Sequence, residues 1–524
     1  MICIGGVVAV GLGLFFMFLF VIPGFKPAGI TGVAVNSKYM TYFGDEIDYM
    51  FRQRNLMIES ANTQININVR KIGFEDESRL VLFENAAGIA FNSVHRTQVN
   101  LTEIIGDDGV PYTKIRLIEP KGAVSRKATL YVNLTRTLEN LPYNITLNTG
   151  NSNVKFDYDP SAEYMRIDNL NVYGTGLVTL PAPIRATAKN PTPFEMSVGN
   201  LNIDSSGARV NCRSTITGVV RIKGITRSVV LGDIQSPASA TTSLQVSGVK
   251  HTVTAANINK NVVWGATSGS LKTGDIFGNL DVQSENVSLN VRSTNHLNLK
   301  SERGSIRVNR IATTSLTNTI VMEKGSLTLG SRGTSNSIPM GVYGNVDIQK
   351  PYGGMTVNFA DAAHATGTTK IRAIDGNVVV YRARGAVDIL IASSGNANVT
   401  ASFAGTTWSS GAVPDLFPST SRIIVEGSRN QSSGGKVTVG FFAGVGASMH
   451  FRGTSHITGN LVPTSNDLEP RNCRNADHKT ASRPNNILED WQCNGDCGQY
   501  LYPVRLGGAL LHVKTQNTVT VRSF

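Results

Sequence analysis

Two aspartates hold equivalent places in short glycine-led runs, Asp347 in GNVDI and Asp388 in GAVDI. A pair of carboxylates on one face is the equipment of glycoside hydrolysis, one acting as general acid and the other as base or nucleophile. Such a centre needs His or Arg groups around the pair, and no constellation of them repeats beside these positions; the plainer reading places both on a solvent-facing side of a strand. Cys473, His478, Cys493 and Cys497 have the ligand types of a zinc site. Their C-x4-H and C-x3-C spacings fit zinc modules poorly, and disulfide pairing of Cys473 with Cys493 or Cys497 is preferred. Trp264, Trp408 and Trp491 could anchor sugar rings, although isolated tryptophans in a β-rich chain more often pack inside. There is no H-E-x-x-H, nucleophile elbow, phosphate-binding loop or GGxGxD calcium turn. No catalytic residue, cofactor or metal is expected.

The elements that carry these residues are short and repetitive. A turn residue, a small or polar residue, and apolar residues alternating with outward ones recur as GNLDV (Gly278), ENVSL (Glu285), NHLNL (Asn295), GSIRV (Gly304) and GSLTL (Gly325). The series continues as GNVDI (Gly344), GGMTV (Gly353), GNVVV (Gly376), GAVDI (Gly385) and GNANV (Gly395), with weaker copies back to about residue 130. Period-two alternation predicts one strand per copy, with Val378, Val380, Val387 and Ile389 inside and Asp281, Arg307, Thr328, Asp347, Val379, Asp388 and Asn398 outside. One such strand buries too little alone, so many must stack. The expected fold is all-β, an elongated solenoid or sandwich array, and the spacing does not choose between the two.

On these units the chain resembles the adhesin family of glycine-punctuated β-repeat domains, over about half its length. The resemblance implies a solenoid-like fold, a surface-exposed binding or structural role, and no catalytic residues. A second stretch, LPAPIRATAKNPTPFEMSVGNLNI from Leu180 to Ile203, is similar to the β-sandwich domain of water-stress type late embryogenesis abundant proteins, which implies a sandwich-like insertion or domain junction there.

The remaining features concern location. Among 524 residues, 41% are hydrophobic, 52 are glycine and the formal charge is +12, but Lys and Arg are thinly spread with no aromatic-interleaved basic cluster; nucleic acid is not an expected partner. Residues 1–25 are read as a transmembrane signal anchor: Ile2 to Phe25 carries no charge, is long enough to cross a bilayer, and lacks the basic start and cleavage site of a removed signal. Gly5, Ala9 and Gly13 share one face of that helix and suit self-association. Lys26, Lys38, Arg52 and Arg54 follow the span and by the positive-inside count favour a cytoplasmic domain. Sequons at Asn100, Asn133, Asn144, Asn286, Asn398 and Asn430 favour the opposite side. The four cysteines beyond the span, Cys212, Cys473, Cys493 and Cys497, agree with an oxidising compartment. The expected organisation is a membrane-proximal β module over 33–128, a β-repeat region over 129–405, and a C-terminal β segment over 406–524. In that last segment the final alternating run returns to the sheet and the Cys-containing loop caps an edge. The expected function is that of a membrane-anchored, extracellular or lumenal adhesin-like protein binding a glycan or surface protein. The alternatives are a filament subunit joined through β edges and a glycan-cleaving enzyme.

Overall fold

The computed structural model describes residues 50–51, 54–70, 78–87, 97–106, 109–119, 125–135, 142–158, 164–184, 194–335, 337–361, 367–392 and 397–404. Towards the C-terminus it describes 421–426, 435–441, 448–452, 456–460, 488–492, 500–503, 510–515 and 517–523. The expected anchor, Asn430, Trp408, Cys473, His478, Cys493 and Cys497 lie outside them. The described chain is all-β, with no helix; no described helix is long and apolar enough to cross a membrane. It divides into two compact units, 1–240 with 250–254, and 241–249 with 255–524.

In the second unit each turn of chain serves two main sides, as one long strand per turn from Asn261 to Leu329 and as two shorter strands per turn beyond, and successive turns stack in parallel. On one side, here side A, the inward column runs Trp264, Val282, Leu299, Ile320, Ile348, Ile371, Ile389, Ile423 and Val513, each residue opposite the next. Side B stacks Leu271, Leu289, Ile306, Leu327, Met355, Val378, Val399, Val437 and Val519 in the same way. All of these side chains are buried. Short bridges make a third side, as between Ile258 and Ile276, Ile311 and Val342, and Val342 and Phe359. Period-two alternation places one residue in two inside, and parallel stacking lets like side chains meet, so each column becomes a continuous dry core. Parallel register throughout these columns is the arrangement of stacked coils, whereas a sandwich pairs its strands antiparallel.

The repeat copies are half-turns. GNLDV, NHLNL, GNVDI and GAVDI start side A, whereas ENVSL, GSIRV, GSLTL, GGMTV and GNVVV start side B. The glycines mark corners where turns press on one another. A Cβ on Gly325 would lie 2.0 Å from the Gly304 carbonyl oxygen, and one on Gly376 would lie 2.4 Å from that of Gly353. Gly325 and Gly376 also have φ of 121° and 111°, backbone that a side chain disfavours.

The first unit stacks in the same manner. Leu56, Ile145, Leu170, Leu201 and Val220 form one buried column. Beside it runs an amide ladder: Asn144 Nδ2 donates to Asn55 Oδ1 at 2.8 Å, Asn169 Nδ2 to Asn144 Oδ1 at 2.7 Å, and Asn200 Nδ2 to Asn169 Oδ1 at 3.0 Å. Each amide is both donor and acceptor, so an in-register column satisfies itself. Strands either side of residue 128 are bonded together, Gln64–Arg70 to both Ser125–Thr135 and Val154–Tyr158. Likewise Val387–Ala392 pairs with Ser421–Glu426 across residue 405. The final alternating run does return to the sheet: Leu510–Thr515 pairs with Ser421–Glu426, and Thr518–Ser523 with Val437–Phe441.

Candidate functional site

Stacking brings Asp347 and Asp388 onto one face, two turns apart. Their column reads Asp281, Asn298, Thr319, Asp347, Lys370, Asp388, Arg422 and His512. At about 4.8 Å per turn the two aspartates stand about 10 Å apart with Lys370 between them. Lys370 Nζ lies 3.6 Å from Asp347 Oδ2. Asp388 is clasped more tightly, by Arg372 Nη2 at 2.5 Å and Arg422 Nε at 2.5 Å. Burial alone would raise the Asp388 pKa, but the hydrogen bonds and charges of Arg422 and Arg372 outweigh it and hold the carboxyl below its usual range. A general acid at neutral pH needs a shift in the other direction. Asp347 Oδ1 is buried and accepts no hydrogen bond. The column therefore alternates in sign along Asp347, Lys370, Asp388 and Arg422, the order in which charges on neighbouring strands attract.

A larger concavity lies at the corner where side A turns into side B. It is a groove of about 760 Å³ that crosses five turns, from Gly265 to Gln349, a length of about 19 Å. Glu285, Glu302 and Glu323, all exposed, line it one in each of its three middle turns, with Lys300 and Gln283 beside them and Met322 at its wall. Lys324 Nζ is 3.8 Å from Glu323 Oε1. The groove is thus a net acidic trough in a basic protein, with hydroxyls and amides along its length but more apolar than polar surface on its walls. Sequence reasoning did not find it. The signal was the glutamate two residues before the register position shared by Val287, Gly304 and Gly325, in ENV, ERG and EKG, which becomes a column only once the half-turn register is known.

The other expected sites separate. Cys212 is a free thiol, fully buried in the strand Glu195–Cys212, and burial pushes its pKa up to about 12. It is a core residue and is not joined to any described cysteine. Trp264 is fully buried, with its Nε1 unpartnered, and cannot meet a sugar ring. Asn100 and Asn286 are exposed. Asn133 is only 6% exposed and its Oδ1 accepts from Asn68 Nδ2 at 3.2 Å. Asn144 sits in the amide ladder, and Asn398 Nδ2 donates to Asn377 Oδ1 at 3.3 Å. Outward alternation placed Asn144 and Asn398 on the correct side, but the neighbouring turns partly cover them. Among the described residues no group of His, Cys, Asp and Glu is arranged to hold a metal ion.

No protein-family model matches the chain, and no curated protein matches it.

Proposed function

We propose that the chain is a β-solenoid displayed on the outer side of a membrane, anchored by residues 1–25, whose work is binding or structural support and not catalysis. The carrying observation is the five-turn corner groove, a pre-formed trough fixed on rigid strands. Its carboxylates, amides and hydroxyls suit a polar chain lying along the stack, and a glycan is the ligand class that fits best: hydroxyl donors at regular intervals meet carboxylate acceptors repeated over three successive turns. Asp388, held ionised between two arginines, favours a structural part for the Asp347 to Asp388 column over acid catalysis. The adhesin-like repeats agree with this reading.

The test is binding of the full chain in detergent to a broad glycan panel, alongside Glu302→Gln. Removing the central carboxylate should weaken the bound glycan by about tenfold, the worth of one charge-assisted hydrogen bond. Equal binding by both proteins, or chain cleavage of the glycan that disappears in Asp388→Asn, would turn the reading away from this groove or towards an enzyme.

A further inference from the structure

The chain takes an unusual path at the first and last coils of its described part. In the first unit, Asn55–Ser60 and Gln64–Arg70 form a coil with parallel partners on both flanks. Pro111–Ile118 and Ser125–Thr135 lie on one side; Tyr143–Thr149 and Val154–Tyr158 lie on the other. The 111–135 coil is in turn covered by Gln98–Ile105 and Ser78–Ala87, both antiparallel to it. The second unit repeats the device. Leu510–Thr515 and Thr518–Ser523 lie between the 421–441 coil and the 448–460 coil. Tyr500–Pro503 and Leu488–Gln492 then pair antiparallel with the outer one. In both units the coil nearest the end of the chain is not at the edge of the stack but one place in from it.

A strand at an edge peels away by breaking one ladder. An inserted coil can leave only when the ladders on both flanks part, and the strands outside it are shielded until it does. The first inserted coil is also pinned at its corner. Glu119, at the end of the flanking 111–119 segment, accepts hydrogen bonds from Asn62 N at 2.8 Å, Thr63 N at 2.7 Å, Thr63 Oγ1 at 2.7 Å and Ser60 Oγ at 3.0 Å. From the opposite flank, Ser152 Oγ meets Ser60 Oγ at 2.8 Å, and Gly150 N and Asn151 N donate to Ser60 and Ala61 carbonyls. Backbone donors converging on one carboxylate make strong, charge-assisted bonds.

We infer that the two inserted coils are mechanical clamps, each of which resists a pull on the chain at its own end. The inference goes beyond ligand binding and holds whether or not residues 1–25 span a membrane.

The test is single-molecule stretching of the full chain from handles at its two termini. After the two-residue pairing of Met50 and Phe51 with Arg79 and Ser78 is lost, each clamp should fail in one step. Extraction of the inserted coil frees everything outside it, about 300 Å of chain at either end at ~3.5 Å per residue when no disulfide closes a loop within it; a bond from Cys473 to Cys493 or Cys497 would shorten the C-terminal step by about 70–85 Å. Glu119→Ala should lower the force of one of these steps and leave the other unchanged. Ile424→Cys with Lys514→Cys joins outward register partners on adjacent strands; once oxidised, it should abolish the other long step until reduced. Release of either end strand by strand in short increments, or a long step indifferent to its own variant, would overturn the inference.

Discussion

At the scale of single residues, Asp388 is the most informative side chain. Its carboxyl is held below the ordinary range because bonds and charge from Arg422 and Arg372 exceed the cost of burial. A group whose folded pKa is depressed contributes stability above its unfolded value, near pH 4, and that stability is lost as pH falls through the folded value. The thermal midpoint of the native protein should therefore fall on acidification through that window, and the fall should be smaller in Asp388→Asn. An identical pH profile for both would mean that Arg422 and Arg372 do not hold the carboxylate in solution. Lys370, Asp347 and His512 share the column and set its background. Cys212 teaches a different lesson: its thiol was counted with three cysteines as part of an even set, yet the strand it ends places it in the core.

At the scale of elements, the strand alternation was fully legible. Val378, Val380, Val387 and Ile389 are all at most 1% exposed, as their period-two pattern required. What the pattern did not reveal was pairing: copies seven to ten residues apart looked like neighbours, but each bonds to the copy one full turn away, as Val378 does to Met355 and Val399. Alternation fixes which face a residue takes and is silent on which strand lies beside it. The groove and the amide ladder depend on that second kind of information, so they were invisible in the sequence, whereas the Asp347 and Asp388 face needed only stacking. The glycines were read as turn permits, and the corner geometry adds a steric reason. Gly376→Ala sets a methyl 2.4 Å from the Gly353 oxygen at a φ of 111°; it should cost about 2 kcal/mol or more of unfolding free energy in denaturant titration. Gly333, with open space around its Cβ position, should cost less on the same substitution despite its φ of 95°.

At the scale of the whole molecule, both units close their outermost coils with antiparallel strands, so the parallel edge that would template another chain is covered at those coils. That weighs against growth of a filament by direct continuation of the stack at those coils. The central claim is that the described domain lies on the extracellular or lumenal side of a membrane, in a compartment where sequons are modified. Glycopeptide mass spectrometry of the native protein tests it most directly. The account predicts glycans on the exposed Asn100 and Asn286 and none on the buried Asn133; unmodified asparagine at both exposed sites would contradict it.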